Sequence, residues 1–307
     1  MTQTEQLTTK QMAPVTIPKR HQSARLENWS RAFYRFRQSW LSIIGLAIVI
    51  ALIIIAILAP WIVPHPEHVV GGTNTGAKFQ PPSAFAWFGT NALGQDMFSL
   101  VLVGSQVSLF SGLAVVLIAI VVGTIVGAIA GYFGGWIDEV LMRITDLLLT
   151  IPSLILAMAV AAALGTGVWN MIIAISITWW PAYARLVRGE VIVKKEEQFV
   201  VAAHALGANW VRILGKHILP NIVSPIVIKA SLDMGFAILT VASLGFVGIG
   251  VKPPTPEWGT LLSGARSYMP DYWWTAMAPG IAIFLAVLAF NLLGDGLRDV
   301  LDPRARR

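Results

Sequence analysis

The chain has no cysteine. That excludes a disulfide framework, a thiolate metal site and a cysteine nucleophile. Charge is nearly as scarce. Asp, Glu, Lys and Arg make up 12% of the 307 residues, against about 25% in an ordinary soluble domain. A soluble chain with so few charges has too little polar surface to cover itself. Hydrophobic residues reach 56% and the mean hydropathy is +0.69, which suits a bilayer. The net charge is +6, but the basic residues flank long apolar runs. They read as topology signals and not as a nucleic-acid surface.

A membrane-crossing helix needs about 20 mostly apolar residues. Leu41–Val63 meets that without a charge, and Leu109–Tyr132 follows. The uncharged stretch Leu147–Tyr183 is too long for one crossing, and Gly165-Thr166-Gly167 divides it into two. A fifth span runs from about Ser224 to Gly250 and a sixth from about Ala278 to Leu293. The first apolar run is too long, and its 40-residue leader too extended, for a cleaved signal peptide, so it reads as a retained helix. With six spans, seventeen Lys and Arg residues fall in the leader, the fourth-to-fifth connection and the tail, against three in the alternate loops. The positive-inside rule then places both termini in the cytoplasm.

The expected organisation is a polar cytoplasmic leader over 1–39, disordered in its first 25 residues, a six-helix membrane domain over 40–294, and a cytoplasmic tail over 295–307. The fold class is all-α, a polytopic membrane protein. The membrane domain includes a long cytoplasmic loop at 185–222.

Few residues invite chemistry. Gly123, Gly127 and Gly131 share one face of the second span and suit a tight helix contact. Arg143 with Asp146, and Lys229 with Asp233, stand three and four apart near expected cytoplasmic span ends, and read as paired rim charges. Gly215-Lys216 resembles the end of a phosphate-binding loop, but Trp210 stands where its first glycine belongs and His217 where Ser or Thr belongs. His65 and His68 lie three apart in a Pro-containing loop with only Glu67 nearby, a weak metal set. No serine sits in a nucleophile elbow. The chain therefore reads as non-catalytic.

The loop from Val187 to Asn221 is more regular than a connector requires. Glu196 and Glu197 open a helical stretch, and Phe199, Val200, Ala203, Leu206 and Trp210 recur at helical spacing. Gly207 marks an end or bend, and Asn209 to Leu219 gives a second helix closed by Pro220. Two short amphipathic helices with Ala202, Ala203 and Gly207 at their corner suit docking in a protein groove better than insertion into lipid.

These residues also carry a resemblance. A-A-H-A-L-G followed by H-I-L-P-N is similar to the coupling-loop signature of membrane subunits of binding-protein-dependent ABC importers, with Ala202, Ala203, Gly207, Leu219 and Pro220 on its positions. Val201 and His217 stand where the signature has Glu and Ile, as in its peptide-importer branch. Gly89–Ser99 resembles the element before the second span of that branch, with Asn91 and Gln95 replacing Asp and Arg. Pro253–Thr260 and Leu288–Arg304 are close to the second membrane subunit of dipeptide and oligopeptide importers.

The resemblance implies a type I permease fold in a prokaryotic inner membrane, forming half of a peptide channel. Its implied partners are a homologous second permease, two cytoplasmic ATPases that hold ATP and Mg, and an extracytoplasmic solute-binding protein; the chain itself needs no cofactor, metal or nucleic acid. The loop through Glu196, Glu197, Phe199, Ala202, Ala203, Gly207, Leu219 and Pro220 would couple to an ATPase. Pro253–Tyr272, carrying Glu257, Trp258 and Asp271, lies on the outer side and is expected to form an outer gate or a binding-protein contact. A stand-alone ion-coupled transporter or channel is the alternative. It would need an unpaired mid-membrane charge and no docking loop.

Overall fold

The computed structural model describes residues 39–301 together with Arg37. The leader before them, Arg304, Arg306, Arg307 and the rest of the tail after Leu301 lie outside the described residues. Among the described residues the fold is helical, with one isolated bridge between Thr90 and Asp96 and no strand. In chain order the helices are α1 (Trp40–Ile62), α2 (Pro66–Val69), α3 (Met97–Phe133), α4 (Gly135–Thr150), α5 (Ser153–Leu164), α6 (Val168–Lys195), α7 (Gln198–Ala205), α8 (Trp210–Arg212), α9 (Val223–Val247), α10 (Trp258–Ala265) and α11 (Trp274–Leu301).

Four of these, α1, α3, α9 and α11, are long and apolar enough to cross a membrane. The expected third span differs from the structure. Its helix breaks between Thr150 and Ser153, where α4 and α5 meet at 92°. The break falls at Ile151-Pro152, where proline disfavours helical geometry in the residue before it. The 12 residues of α5 reach only about 18 Å, short of a bilayer's hydrocarbon thickness. Counted as one unit, the bent pair makes a fifth crossing. The expected fourth span continues past Tyr183 as α6, so Arg185, Arg188, Lys194 and Lys195 stand on a helix and not in a loop. At 28 residues, α6 is long enough to cross. It is less apolar than the other four because it is interior: Met171, Ile172, Ile175, Tyr183, Val187 and Val191 on it are fully buried. The helix α11 likewise runs unbroken through residue 294 to Leu301.

The α3–α6 contact is the most extensive between helices in the fold. A Cβ placed at Gly123, Gly127 or Gly131 would lie within 3.0 Å of Trp180 O, Arg188 N or Arg188 O respectively. The glycine face therefore seats backbone directly on backbone. Around it the main core joins α3, α5, α6, α9, α10 and α11 through residues such as Val115, Ala161, Ile172, Ile238, Trp258 and Ala286. Two ion pairs tie α4 to α6: Asp146 accepts from Arg185 Nη2 at 2.6 Å, and Asp138 from Arg188 in bidentate fashion. Asp146 thus pairs across helices and not with Arg143, as the sequence spacing suggested. Lys229 and Asp233 do pair, at 3.0 Å.

The helix α1 packs on α11 at Gly45, where an added Cβ would lie 2.7 Å from Leu292 Cβ. It carries Pro60, which lacks the N–H that would bond Ala56 O. Gln106 Nε2 on α3 supplies the missing donor, 2.8 Å from Ala56 O. An unmet carbonyl in a span is costly because lipid offers it no hydrogen bond. A double-mutant cycle tests this compensation. Gln106→Leu should destabilise the protein by about 1 kcal/mol, read as a lower melting temperature in detergent. The same change should cost little in a Pro60→Ala background, where the helix satisfies its own carbonyl. Equal losses in both backgrounds would refute the pairing.

Candidate functional site

The connection between α6 and α9 builds a projecting feature from short pieces. Glu196 ends α6 and Glu197 caps α7 in extended geometry, so the chain turns within two residues. The Glu197 carboxylate makes no capping bond and pairs instead with Lys194 at 3.2 Å. Glu197 is exposed and Lys194 partly so, and such a pair contributes little. Along α7 the side chains divide. Val200 and Ala203 are buried; Phe199, Val201 and Ala202 are exposed. Leu206, just past the helix, is 88% exposed. The helical spacing that joined Phe199, Val200, Ala203, Leu206 and Trp210 thus covers two surfaces, one seated and one presented.

Gly207 ends this unit at φ +79°, with its N–H on His204 O and the Ala208 N–H on Ala203 O. That left-handed conformation strains any residue with a Cβ. Space is not the constraint, since nothing lies within 4 Å of where a Cβ would stand. Asn209 then caps α8, its Oδ1 accepting from Arg212 N at 2.9 Å. The expected second helix forms with a wider turn: Ile213–Ile218 is π-helical, and Leu219–Asn221 closes it as a 3-10 turn containing Pro220. Ile213 and Ile218 are both fully buried. On an α-helix, five residues would set them about 140° apart. The i to i+5 turn brings them back to one side.

That side joins a second, smaller core. Ile213, Leu214, Ile218 and Ile222 meet Val200 of α7, Ala128 of α3, Val187 and Val191 of α6 and Ile226 of α9. Lys195 Nζ donates to Tyr132 O at 2.8 Å, at the end of α3, and the Trp210 ring lies 5.5 Å from Phe133. The loop is therefore rigidly joined to the ends of α3, α6 and α9. It leaves Glu196, Glu197, Phe199, Ala202, Gly207 and Pro220 exposed and Leu219 half-buried.

At the opposite end of these helices, Pro253–Tyr272 corrects one expectation. Glu257 and Trp258 are interior, at 0% and 1% exposure, and offer no contact surface. The Glu257 carboxylate caps α10, accepting from Gly259 N at 2.8 Å, Thr260 N at 2.9 Å and Ser108 Oγ at 3.2 Å. Burial pushes its pKa up, against these bonds, which lower it. The Trp258 indole donates to Val101 O at 2.9 Å, passing Gly104, where a Cβ would lie 3.3 Å from the ring. The segment is thereby wedged between α3 and α9, and Asp271 is exposed.

No sequence signal marks this wedge, because glutamate is not among the favoured N-cap residues. In the neighbouring loop, Asn91 and Gln95 are joined by hydrogen bonds: Asn91 Nδ2 donates to Gln95 Oε1 at 2.9 Å, and Gln95 Nε2 to His68 O and Gly72 O. Nitrogen and oxygen ligand atoms of His65, Glu67 and His68 lie within 4.8 Å of one another. His68 Nδ1, however, accepts the Asp96 N–H at 3.0 Å, which places the ring proton on Nε2 and leaves neither nitrogen free for a metal.

Comparison with known proteins agrees with this arrangement. Residues 123–307 match the family described as binding-protein-dependent transport system inner membrane component. Residues 27–82 match the N-terminal TM domain of oligopeptide transport permease C. The chain is 48% identical over 279 residues to the glutathione transport system permease protein GsiD of Shigella flexneri, covering 91% of each chain. It is 43% identical over 293 residues to the dipeptide transport system permease protein DppC of Alkalihalophilus pseudofirmus, covering 95% of each. It is 42% identical over 278 residues to the probable D,D-dipeptide transport system permease protein DdpC of Escherichia coli K12, covering 91% of this chain and 92% of that one.

The seated and presented faces of α7 can be told apart by one charge. Val200→Asp places a carboxylate in the small core and should release the loop, read as rapid protease cleavage between residues 196 and 222 and a stability loss of about 3 kcal/mol or more. Val201→Asp, one residue on and 56% exposed, should leave the cleavage pattern and melting temperature unchanged.

Proposed function

Because the chain belongs to the family of binding-protein-dependent transport system inner membrane components, we propose that it forms one half of the channel of an ATP-driven peptide importer and takes its energy through the loop around α7. The observation that carries this reading is the division of α7. Glu196, Glu197, Phe199 and Leu206 are free to enter a partner's groove, while Val200 seats the same helix in the small core with α3, α6 and α9, and Ala203 is buried beside it. A movement imposed on the exposed face is delivered to three long helices at once. The peptide class is supported by the dipeptide and glutathione permeases to which the chain is similar along nearly its whole length. Nothing in those relatives supports an ion-coupled carrier.

In this reading the family's general assembly takes a particular form. A homologous permease supplies the other half of the path. Two cytoplasmic ATPases, which hold ATP and Mg, dock below, and an extracytoplasmic binding protein delivers the peptide. The chain has six crossings with both termini in the cytoplasm, α4–α5 being the third and α6 the fourth. Residues 1–39 are its leader, 40–294 its channel domain and 295–307 its tail. Closure of the ATPases draws α7 with them, and the small core tilts α3, α6 and α9. Glu257 and Trp258 fix α10 between α3 and α9, so the outer gate moves with the same helices, and exposed Asp271 beside them remains available to the binding protein.

Gly207→Trp tests the coupling step. The variant should reach the membrane and co-purify with the second permease, while peptide uptake falls by about tenfold or more as the added ring obstructs the docked face. Undiminished uptake would remove the coupling role. A wild-type chain that purifies without ATPases and transports without ATP would remove the importer reading itself.

A further inference from the structure

One stripe of α9 is left uncovered by the rest of the chain. Lys229, Asp233, Phe236, Thr240, Ser243 and Val247 follow in alternating steps of four and three residues, the spacing of a single helix face. None of them is buried, and Phe236 and Val247 are each 56% exposed. The other side of α9 is packed, with Met234, Ala237, Ile238 and Val241 in the main core. Exposed faces are ordinary where they meet lipid, as on α1 at Ile50, Ile53 and Ile57. The α9 stripe differs because it carries an ion pair and two hydroxyls.

The pair is only partly shielded. Lys229 and Asp233 side chains are 30% and 17% exposed. Lys229 Nζ lies 5.1 Å from the centroid of the Tyr183 ring, which holds the ammonium by its π face. Tyr183 is fully buried, with its hydroxyl beside Asp233. The Thr240 and Ser243 hydroxyls donate back to Phe236 O and Leu239 O at 2.8 and 2.7 Å. Their oxygens keep acceptor capacity toward the open side. Charged groups in crossing helices face a bundle interior or a water-filled cavity in preference to lipid.

We infer that this stripe lines the substrate path and that Lys229 and Asp233 form a transient site for a zwitterionic peptide, the ammonium taking its carboxylate end and the aspartate its amino end. The inference rests on the peptide-import reading above. Charge balance favours this occupant. Empty, the two groups neutralise each other. A zwitterion brings one charge of each sign, so it can exchange with the internal pair and leave no charge unmatched. A peptide held this way is exchanged and not trapped, as a conduit requires.

The absence of native cysteine makes the test direct, since this chain itself contributes no background labelling. In the assembled importer in open membrane fragments, a charged, membrane-impermeant thiol reagent should modify Thr240→Cys and Ser243→Cys about tenfold faster than Ile53→Cys, because only a hydrated thiol ionises. Ile53 is a fair control at 47% exposure on a wholly apolar face. Added dipeptide should slow labelling on α9 alone. Rates equal to that of Ile53→Cys, or disulfide trapping of these cysteines against a helix of the second permease, would overturn the path-lining role.

For the pair itself, Lys229→Gln should raise the KM for a free dipeptide about tenfold, as for a lost charge-assisted contact, and leave that for its C-terminal amide unchanged. Asp233→Asn should do the same with respect to N-acetylation. Uniform losses on all substrates would assign the pair to structure alone. Failure of the wild-type importer to take up any peptide would refute peptide import, while the thiol rates would still decide what the stripe faces.

Discussion

Backbone contact between α3 and α6 is the constraint on which the rest of the molecule depends. With hydrogen in place of Cβ at 123, 127 and 131, α3 approaches α6 until main-chain atoms touch. In lipid the hydrophobic effect adds little between helices, so such packing supplies most of their adhesion. The contact also relieves α6 of facing lipid along much of its length. That is why α6 can carry Asn170, Trp179, Trp180 and Pro181 and still sit in the bundle. The same pair ends in Tyr132, Lys195 and the small core, so the projecting loop is built on the stiffest part of the fold.

Two joints hold that central pair to its surroundings in different ways. At the loop end, apolar side chains from five segments interlock, and the attachment is strong but adaptable, as packed aliphatic groups are. At the other end, α10 is held by directional bonds from Glu257 and Trp258 to α3. Such bonds fix an angle more than they add stability. On the importer reading proposed above, the two kinds of attachment would match two tasks: one end receives a displacement, and the other keeps α10 in register with the helices beside it.

How much of this was legible in the sequence varied with its physical cause. The apolar runs of α1, α3, α9 and α11 announce themselves, because a bilayer demands a uniform composition. The α6 boundaries did not, since an interior helix is free of that demand and its charged end looks like a loop. The break at Pro152 was hidden inside an apolar run, where composition outweighs a single residue. Asp146 misled for another reason: on a helix surface Arg143 is near in sequence, but Arg185 is nearer in space. In the loop between α6 and α9, the helix ends expected at Gly207 and Pro220 are where the structure has them, because each residue acts through its own backbone. The division of α7 into two faces was not legible, because which apolar residues are covered is decided by α3 and α6, far away along the chain. Asn91 and Gln95 close their loop with amide hydrogen bonds and no charge.

The bond from Gln106 to Ala56 also bears on how the chain enters the membrane. Until α3 arrives, Pro60 leaves a carbonyl on α1 without a donor, in a solvent that offers none. The donor is 50 residues further along, and at synthesis rates of about 5–20 residues per second it emerges several seconds later. Through that interval α1 is best kept at the protein-lined, hydrated exit of the insertion machinery and not released alone into lipid. A proline in the first span thus sets a timetable: the first two long helices leave for the bilayer together.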